Sequence, residues 1–506
     1  MDAGERPFPP GDYPALVIGS GPGGLQVSYG LRQQGVEHAV ISADDGPGGM
    51  FLRWPFFQRL LSWTKPFAPA ARGTREYQRY DWNSLLADEP EARSLQADFL
   101  DDTSYFPSRP GMQANLETFA ERTGITVRYG TRWERTRREE GPGGTTFVVE
   151  TSDGEYRCRV LVLAVGIAQP LSPATPGIEL ARHYAETRDA SSYAGRRVFI
   201  IGKQNSGFEL ATGLSPWASS ITVCSPSPAK TSVQTKSLAG VRARYVQPFE
   251  DSFLGLGVRI IDASITGLTP VGDAIRVELR RTDDGTAMSV EADEVIAATG
   301  FTCPLLDLPD LGVATFGASR LPAVTPFWES ATVPGIFFAG TISQASPGLK
   351  KHGVPANSGA VHGHRYNSMV LARHIAETRF GRVTERASVA PDDLVPYLLR
   401  EATAAPELWH QKAYLARVVT VGGAGLRDEG IVPLAHALDG LAADMVAMTI
   451  ESDGQGGLYP VAYVRRAGAL SEHALPADPF LDFETDAHRA VLSDAVAGLL
   501  AGARAR

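Results

Sequence analysis

Residues 14–18 form a short apolar run, Pro14-Ala15-Leu16-Val17-Ile18, of the kind that fills a buried parallel strand. It breaks into Gly19-Ser20-Gly21-Pro22-Gly23-Gly24. Apolar positions then recur at helical spacing over 25–34, Gly35 ends the run, and a second apolar stretch follows at 38–42. The order strand, glycine loop, helix, strand returns once more. An apolar run closes at Ile201, Gly202 to Gly207 follow, a helix is expected through 211, and a strand over 220–224. Two other buried runs end in small residues and glycine: one in Ala164-Val165-Gly166, the other in Ala298-Thr299-Gly300. They bracket the second unit and predict that it is inserted into the first. The first unit is expected to end with a strand over 335–339, Gly340-Thr341, and a helix over 358–377. Between these lie a predicted helix over 110–123, a short strand over 126–128 and a hairpin opening at 145–151. Strands are expected at 258–261 and 274–279. From about residue 386 no further glycine loop occurs. Helices over 392–404, 407–418 and 431–441, strands over 444–450 and 457–465, and a helix over 486–501 predict a small α+β tail.

The glycine spacing adds chemistry to this pattern. Gly19, Gly21 and Gly24 follow G-x-G-x-x-G: the first permits the turn, the second lets the backbone approach a pyrophosphate, and the third packs helix on strand. An acid that binds the adenosine ribose is expected at the end of the second strand. Ser42 stands there, with Asp44 and Asp45 close behind, and the sequence leaves open which of them serves. In the second loop Gly202 and Gly207 fit, Gln204 takes the second glycine's place, and Asn205 and Ser206 open the helix. Ser225, Ser227 and Lys230, after the next strand, favour NADPH over NADH. The stretch from Gly48 to Pro69 is aromatic and basic. Gly49, Met50, Arg53, Trp54 and Trp63 are expected as a cofactor wall, with Arg59 and Lys65 as further cations, although ordinary core packing accounts for such aromatics equally well. Asp81-Trp82-Asn83-Ser84 reads as a polar loop near a cofactor or as loop capping.

The 506 residues are enough for two or three domains. Hydrophobic content of 43%, charged content of 21% and a net charge of −9 describe an ordinary globular chain and argue against a nucleic-acid partner. No apolar run approaches a membrane span, and the first ten residues carry no leader core, so a cytoplasmic location is expected. Three cysteines, Cys158, Cys224 and Cys303, form no C-x-x-C. His362 and His364 lack a surrounding carboxylate set, so no metal site is expected. Richness in Ala, Gly and Arg points to a high-GC bacterial gene.

Several segments together resemble a known group. They are Gly19 to Gly24, Arg53-Trp54-Pro55, Tyr80-Asp81-Trp82-Asn83-Ser84-Leu85-Leu86, Tyr105-Phe106-Pro107, Gly202 to Glu209, Phe337-Phe338-Ala339-Gly340-Thr341-Ile342-Ser343-Gln344 and His362-Gly363-His364-Arg365-Tyr366-Asn367. The chain resembles two-dinucleotide flavoproteins of the flavin-containing monooxygenase-like group, in particular the FAD-dependent oxidoreductase domain-containing family, over roughly residues 14–377. The resemblance implies an α/β fold: a Rossmann-like FAD domain (1–170 and 298–385), an inserted Rossmann-like NAD(P)H domain (171–297) and the C-terminal α+β region (386–506). It implies FAD contacts at Gly19, Gly21, Gly24, Gly49, Gly340 and Thr341, where many relatives carry Asp in place of Thr341. Gly166 and Gly300, at the two crossings, join the cofactor set. The linker motif F-x-G-x-x-x-H is incomplete, with His183 in place but Gly177 and Glu179 for the Phe and Gly.

The function so implied is an NADPH-dependent flavin monooxygenase. It would use molecular oxygen to oxygenate nitrogen, sulfur or a carbonyl carbon of a small molecule through a peroxyflavin, and analogy suggests natural-product biosynthesis. Asn83, Ser62, Lys351 and Arg365 are the candidate catalytic groups. Two alternatives stay open: an FAD-dependent oxidase or dehydrogenase acting directly on its substrate, and a flavin-bearing interaction protein without turnover. The tail leaves room for a homodimer.

Overall fold

The computed structural model describes residues 6–54, 59–229, 257–345, 356–423, 425–453 and 457–504. The first apolar run becomes the strand Ala15–Ile18, at the centre of a parallel four-stranded sheet ordered Ile336–Phe338, Val160–Leu163, Ala15–Ile18, His38–Ile41. All four strands are almost wholly buried, which is why they read as apolar runs without alternation. The helix Pro22–Gln33 starts directly after Gly21, earlier than residue 25 as expected from the sequence. Pro22 stands where a helix needs no N–H and a fixed φ helps, so the helix begins at once. Val361–Phe380 packs beside it, and the approach is close where Gly30 faces Ala372: a β-carbon on Gly30 would lie 2.7 Å from that of Ala372.

The chain leaves this sheet after Val160–Leu163 and returns to it at Ile336–Phe338. Between them lies a seven-stranded sheet, ordered Ala287–Ala292, Ala274–Arg281, Val258–Val271, Ser220–Ser225, Arg197–Ile201, Glu294–Ala297, Arg182–His183. Its last five strands are parallel and its first three form an antiparallel meander. Val258–Val271 runs 14 residues, well past the four expected, because it pairs in parallel with Ser220–Ser225 and then continues antiparallel against Ala274–Arg281. Its polar positions had hidden the continuation, and a bulge next to Gly267 lets it bend. The two crossings between the sheets lie side by side, Phe301 paired with Pro170 and Thr302 with Gln169. A third sheet contains Trp133–Gly141, a strand the sequence did not suggest because its outward face is all charge.

The tail is α+β, but two of its expected helices are corrected. Only Pro406–His410 of the 407–418 helix is helical, and Leu415–Gly422 is a strand, as its Val418-Val419-Thr420-Val421 run prefers. Likewise Gly425–Pro433 is a strand and the helix is confined to Leu434–Gly440. With Ser388–Val389, Met445–Ser452, Leu458–Arg466 and Ala469–Ala474 they build a six-stranded antiparallel sheet. Its core is continuous with that of the first sheet: Leu398, Leu415 and Trp409 belong to the same buried cluster as Leu161 and Ile375. No helix among the described residues is long and apolar enough to cross a membrane.

Candidate functional site

Three backbone turns meet at the first glycine loop. Gly19 turns at φ +112°, and a β-carbon there would lie 2.5 Å from the Ala164 carbonyl at the first crossing. One on Gly24 would lie 1.9 Å from the Gly19 carbonyl, so Gly24 packs helix on strand and takes no part in the cavity lining. One on Gly23 would lie 2.3 Å from the Gly340 Cα, which brings the last strand of the sheet against the loop. These contacts leave the open side of the loop facing a cavity of about 1460 Å³. Ordinary small-molecule pockets run to roughly 300–1,000 Å³, so this one has room for more than a single small ligand.

Of the residues singled out in the sequence, Gly19, Gly21, Ser42, Gly49, Met50, Arg53, Trp54, Ser62, Trp63, Gly166, Asn205, Ser206, Gly340 and Thr341 line this one cavity. At the end of the second strand Ser20 donates to Ser42 across 2.9 Å, and Ser42 lies 3.3 Å from an Asp44 carboxylate oxygen. Asp44 is buried, lines the cavity and is held by an ion pair with Arg53, whereas Asp45 is exposed. Trp54 stacks on Phe301 at 4.2 Å between ring centroids, and Trp63 packs on Trp82 at 4.1 Å.

At the second loop a β-carbon on Gly207 would lie 2.1 Å from the Gly202 carbonyl, so this pair shapes the turn behind the lining. Asn205 and Ser206 reach the cavity, and Asn205 Oδ1 is buried with no hydrogen-bond partner. The Gln204 side chain is exposed. Gly300 lies outside the lining. Its carbonyl accepts a hydrogen bond from His183 Nε2 at 3.1 Å, and His183 Nδ1 accepts one from the Ala185 amide. Burial lowers the pKa of this imidazole and suits the neutral tautomer so defined.

The candidate catalytic groups separate. Ser62 lines the cavity and donates to Asn83 Oδ1 at 2.5 Å. Asn83 lies wholly buried behind it, donating in turn to Thr64 Oγ1 at 3.1 Å. Arg365 is a structural anchor away from the cavity: its buried guanidinium donates to the carbonyls of Ser84 and Gln78 and to the Tyr366 hydroxyl. Lys351 and Lys230, with Pro55, fall outside the described residues.

The cavity also holds groups from the tail that no motif announced, beside rings of the first unit. Trp82, His362 and His364 come from the first unit; Trp409, His410 and Lys412 come from the tail. The Trp82 and His362 rings lie 4.2 Å apart and His362 and His410 5.2 Å apart. Burial, with repulsion from Arg365 and Lys412, pushes His362 far below the usual imidazole range. His364 is pushed down to about 3 by burial and Arg365, and Lys412 down to about 7 by burial and Arg79. The histidine pair in 362–364 was visible in the sequence; the tail residues carry no spacing that could have announced them.

A glycine-loop sheet and a second, similar sheet sharing one cavity define a two-nucleotide oxidoreductase fold. The chain belongs to the pyridine nucleotide-disulphide oxidoreductase family, whose model matches residues 16–340. It is 27% identical over 437 residues to FAD-dependent oxidoreductase domain-containing protein 2 of Mus musculus, covering 81% of this chain and 64% of that protein. The chain thus spans somewhat less than two thirds of that relative's length. In fold it is similar to the bacillithiol disulfide reductase from Staphylococcus aureus, with a TM-score of 0.55, 16% identity, and 72% and 99% of the two chains covered. It is also similar to the flavin-containing monooxygenase from Stenotrophomonas maltophilia, with a TM-score of 0.51, 21% identity, and 72% and 98% covered. Membership brings the two nucleotides the sequence expects, FAD and NAD(P)H. The residues present fit them: a glycine cradle without side chains, a ribose-sized set of Ser42 and Asp44, and an unpartnered Asn205 oxygen at the second loop.

Proposed function

We propose that this chain is an NADPH-dependent flavin monooxygenase acting on a small organic molecule. One observation carries the reading. One cavity is lined by the first glycine loop, by Asn205 and Ser206 and by the rings of Trp63, Trp82 and His362, and no cysteine lines it. A disulphide reductase needs a thiol at the flavin, and here all three cysteines are buried elsewhere.

FAD, when bound, supplies hydride acceptance and oxygen activation, while the protein supplies binding, orientation and exclusion of water. Gly19, Gly21 and the start of Pro22–Gln33 would receive the pyrophosphate at a helix N-terminus. Ser42 and Asp44 would take the adenosine ribose, with Arg53 fixing the Asp44 carboxylate. Gly49, Met50, Trp54, Gly166, Gly340 and Thr341 would border the flavin, and Gly24 would hold the helix against its strand. Asn205 and Ser206, on the Gly202–Gly207 turn and near the Gly300 crossing, would receive the nicotinamide nucleotide. Ser62 would offer a hydroxyl near the reacting atoms, with Asn83 as its positioning residue. The aromatic part of the lining, Trp54, Trp63 and Trp82, would help to keep water from the reacting atoms, which oxygenation requires.

Stoichiometry tests the proposal. The flavin-loaded protein, given NADPH and a small-molecule panel, should consume NADPH and oxygen one for one with formation of an oxygenated product. Steady NADPH-driven reduction of a disulphide, without oxygen uptake, would refute it. Gln204 in the second glycine's place favours a second reading, direct oxidation of substrate by FAD. Flavin bleaching by a substrate in the absence of NADPH would select that reading.

A further inference from the structure

The arginines that line the cavity are not equivalent. Arg53 is paired with Asp44, Arg59 with Asp101 and Arg132 with Glu134. Arg79 is different. Its guanidinium lies 3.9 Å from the centroid of the Trp409 ring, and Nη1 donates to the Thr403 carbonyl at 2.7 Å. No described carboxylate forms an ion pair with it. Burial lowers its pKa, and only the Tyr80 phenol works against that shift. The remaining Nε–H and Nη2–H edge has the fork geometry that matches a carboxylate.

The surroundings of Arg79 point the same way. The two acids of the lining are engaged elsewhere, Asp44 with Arg53 and Glu209 with the Tyr184 hydroxyl at 2.7 Å. Lys412 adds a second cation to this part of the lining, and its ammonium donates to the Trp409 carbonyl. His362 Nδ1 and His364 Nδ1 are buried in the lining with no hydrogen-bond partner, and each is a polar contact that a ligand would satisfy. Trp63, Trp82 and His362 pack ring on ring and together form an aromatic wall of the cavity. A partly buried cation without a counter-charge carries a desolvation cost, and an anionic ligand would offset it.

We infer that the substrate is an aromatic carboxylate, its carboxylate received by Arg79 beside Lys412 and its ring packed against the wall that Trp63, Trp82 and His362 form. The inference rests on the flavin monooxygenase reading for the chemistry, but the binding it describes is separable from turnover. It also gives the tail a role. Trp409, which stacks on Arg79, and Lys412 both lie beyond residue 340, where the family match ends.

Binding tests it, in the full-length flavin-loaded protein, read by quenching of tryptophan fluorescence and by displacement of the flavin absorbance bands. The probes are 2-naphthoate, 2-naphthamide, 2-naphthylmethylamine and 2-naphthalenesulfonate. The expected result is a Kd for 2-naphthoate at least tenfold below those of the amide and the amine. Arg79→Gln should remove that preference and Arg79→Lys should restore part of it, with the flavin content of each variant checking its fold. The sulfonate arm separates the carboxylate fork from a general preference for anions. Equal binding of naphthoate, amide and amine would overturn the inference. So would an Arg79→Gln variant that keeps the preference, or one that loses NADPH affinity alone. Failure of NADPH to reduce the flavin would refute the monooxygenase reading and leave this binding result standing. Absence of naphthoate binding in a protein that NADPH does reduce would refute only the inference.

Discussion

Gly23 and Gly340 meet backbone to backbone although 317 positions separate them, and a β-carbon on Gly23 would lie 2.3 Å from the Gly340 Cα. The contact joins the first glycine loop to the last strand of the same sheet, where Gly340 itself turns at φ +79°. Neither backbone can yield as a flexible side chain would. Gly23→Ala is therefore expected to cost at least the ~1–3 kcal/mol of an overpacked core and to yield protein depleted of FAD. Flavin absorbance per chain and the thermal midpoint measure it. A Gly23→Ala protein with full flavin content would show that the two turns do not together form the cradle.

The Asp44 carboxylate is fixed by Arg53 and approached by Ser42. If it takes the ribose, Asp44→Asn should weaken FAD binding by about ten- to a hundredfold, in line with ~1.5–3 kcal/mol for a hydrogen bond to a charged group. Asp45→Asn should leave affinity unchanged, because Asp45 is exposed. Equilibrium titration of the apoprotein with FAD compares the two.

Burial pushes the Cys224 thiol up to about 11 and Cys303 up to about 12, and raises Cys158 further. Thiolate is what reacts, so all three should resist alkylation in the native state. Treatment with N-ethylmaleimide is expected to leave NADPH-driven flavin reduction unchanged, with no label found by mass spectrometry until the protein is denatured. Inactivation together with labelling of one cysteine would return disulphide chemistry to consideration.

The tail is clamped to the segment that carries Arg79. Arg75 binds Glu401 at 2.7 Å and Glu407 at 2.9 Å, and Arg417 shares Glu401. Burial tends to raise the Glu401 pKa, but Arg75 and Arg417 outweigh it and hold it below the ordinary 4.5. A carboxylate with a depressed folded pKa contributes stability at neutral pH and loses it as pH falls through that value. The thermal midpoint should therefore drop on acidification below about pH 4.5. Glu401→Gln should lower it at pH 7, by an amount toward the low end of the ~3–5 kcal/mol typical of broken buried pairs, since Arg75 is partly exposed. The variant should also lose most of the acid-range dependence.

The sequence was most legible where one physical rule acted alone. Buried parallel strands such as Ala15–Ile18 and Val160–Leu163 are apolar throughout, and the glycine loops carry their own spacing. It was least legible where tertiary pairing overrode local pattern. The polar half of Val258–Val271 is a strand because Ala274–Arg281 pairs with it, whereas the helix expected over 407–418 overran a local β-branched run that belongs to the strand Leu415–Gly422. Gly19, Ser42, Trp54, Ser62 and Thr341, singled out from motif or resemblance, line the one cavity. Arg365 looked chemical and is spent on the Ser84 and Gln78 carbonyls. Arg79, His410 and Lys412 could not be found at all, since they meet only when the tail folds onto the cavity.

Anaerobic absorbance spectroscopy of the purified, flavin-loaded protein tests the central claim most directly. One equivalent of NADPH is added without oxygen, and air is then admitted. The expected result is bleaching of the flavin band by NADPH and its return on aeration with uptake of oxygen, both unaffected by prior thiol alkylation. A flavin band that NADPH leaves unchanged, or one that air cannot restore until a disulphide is supplied, would contradict the claim.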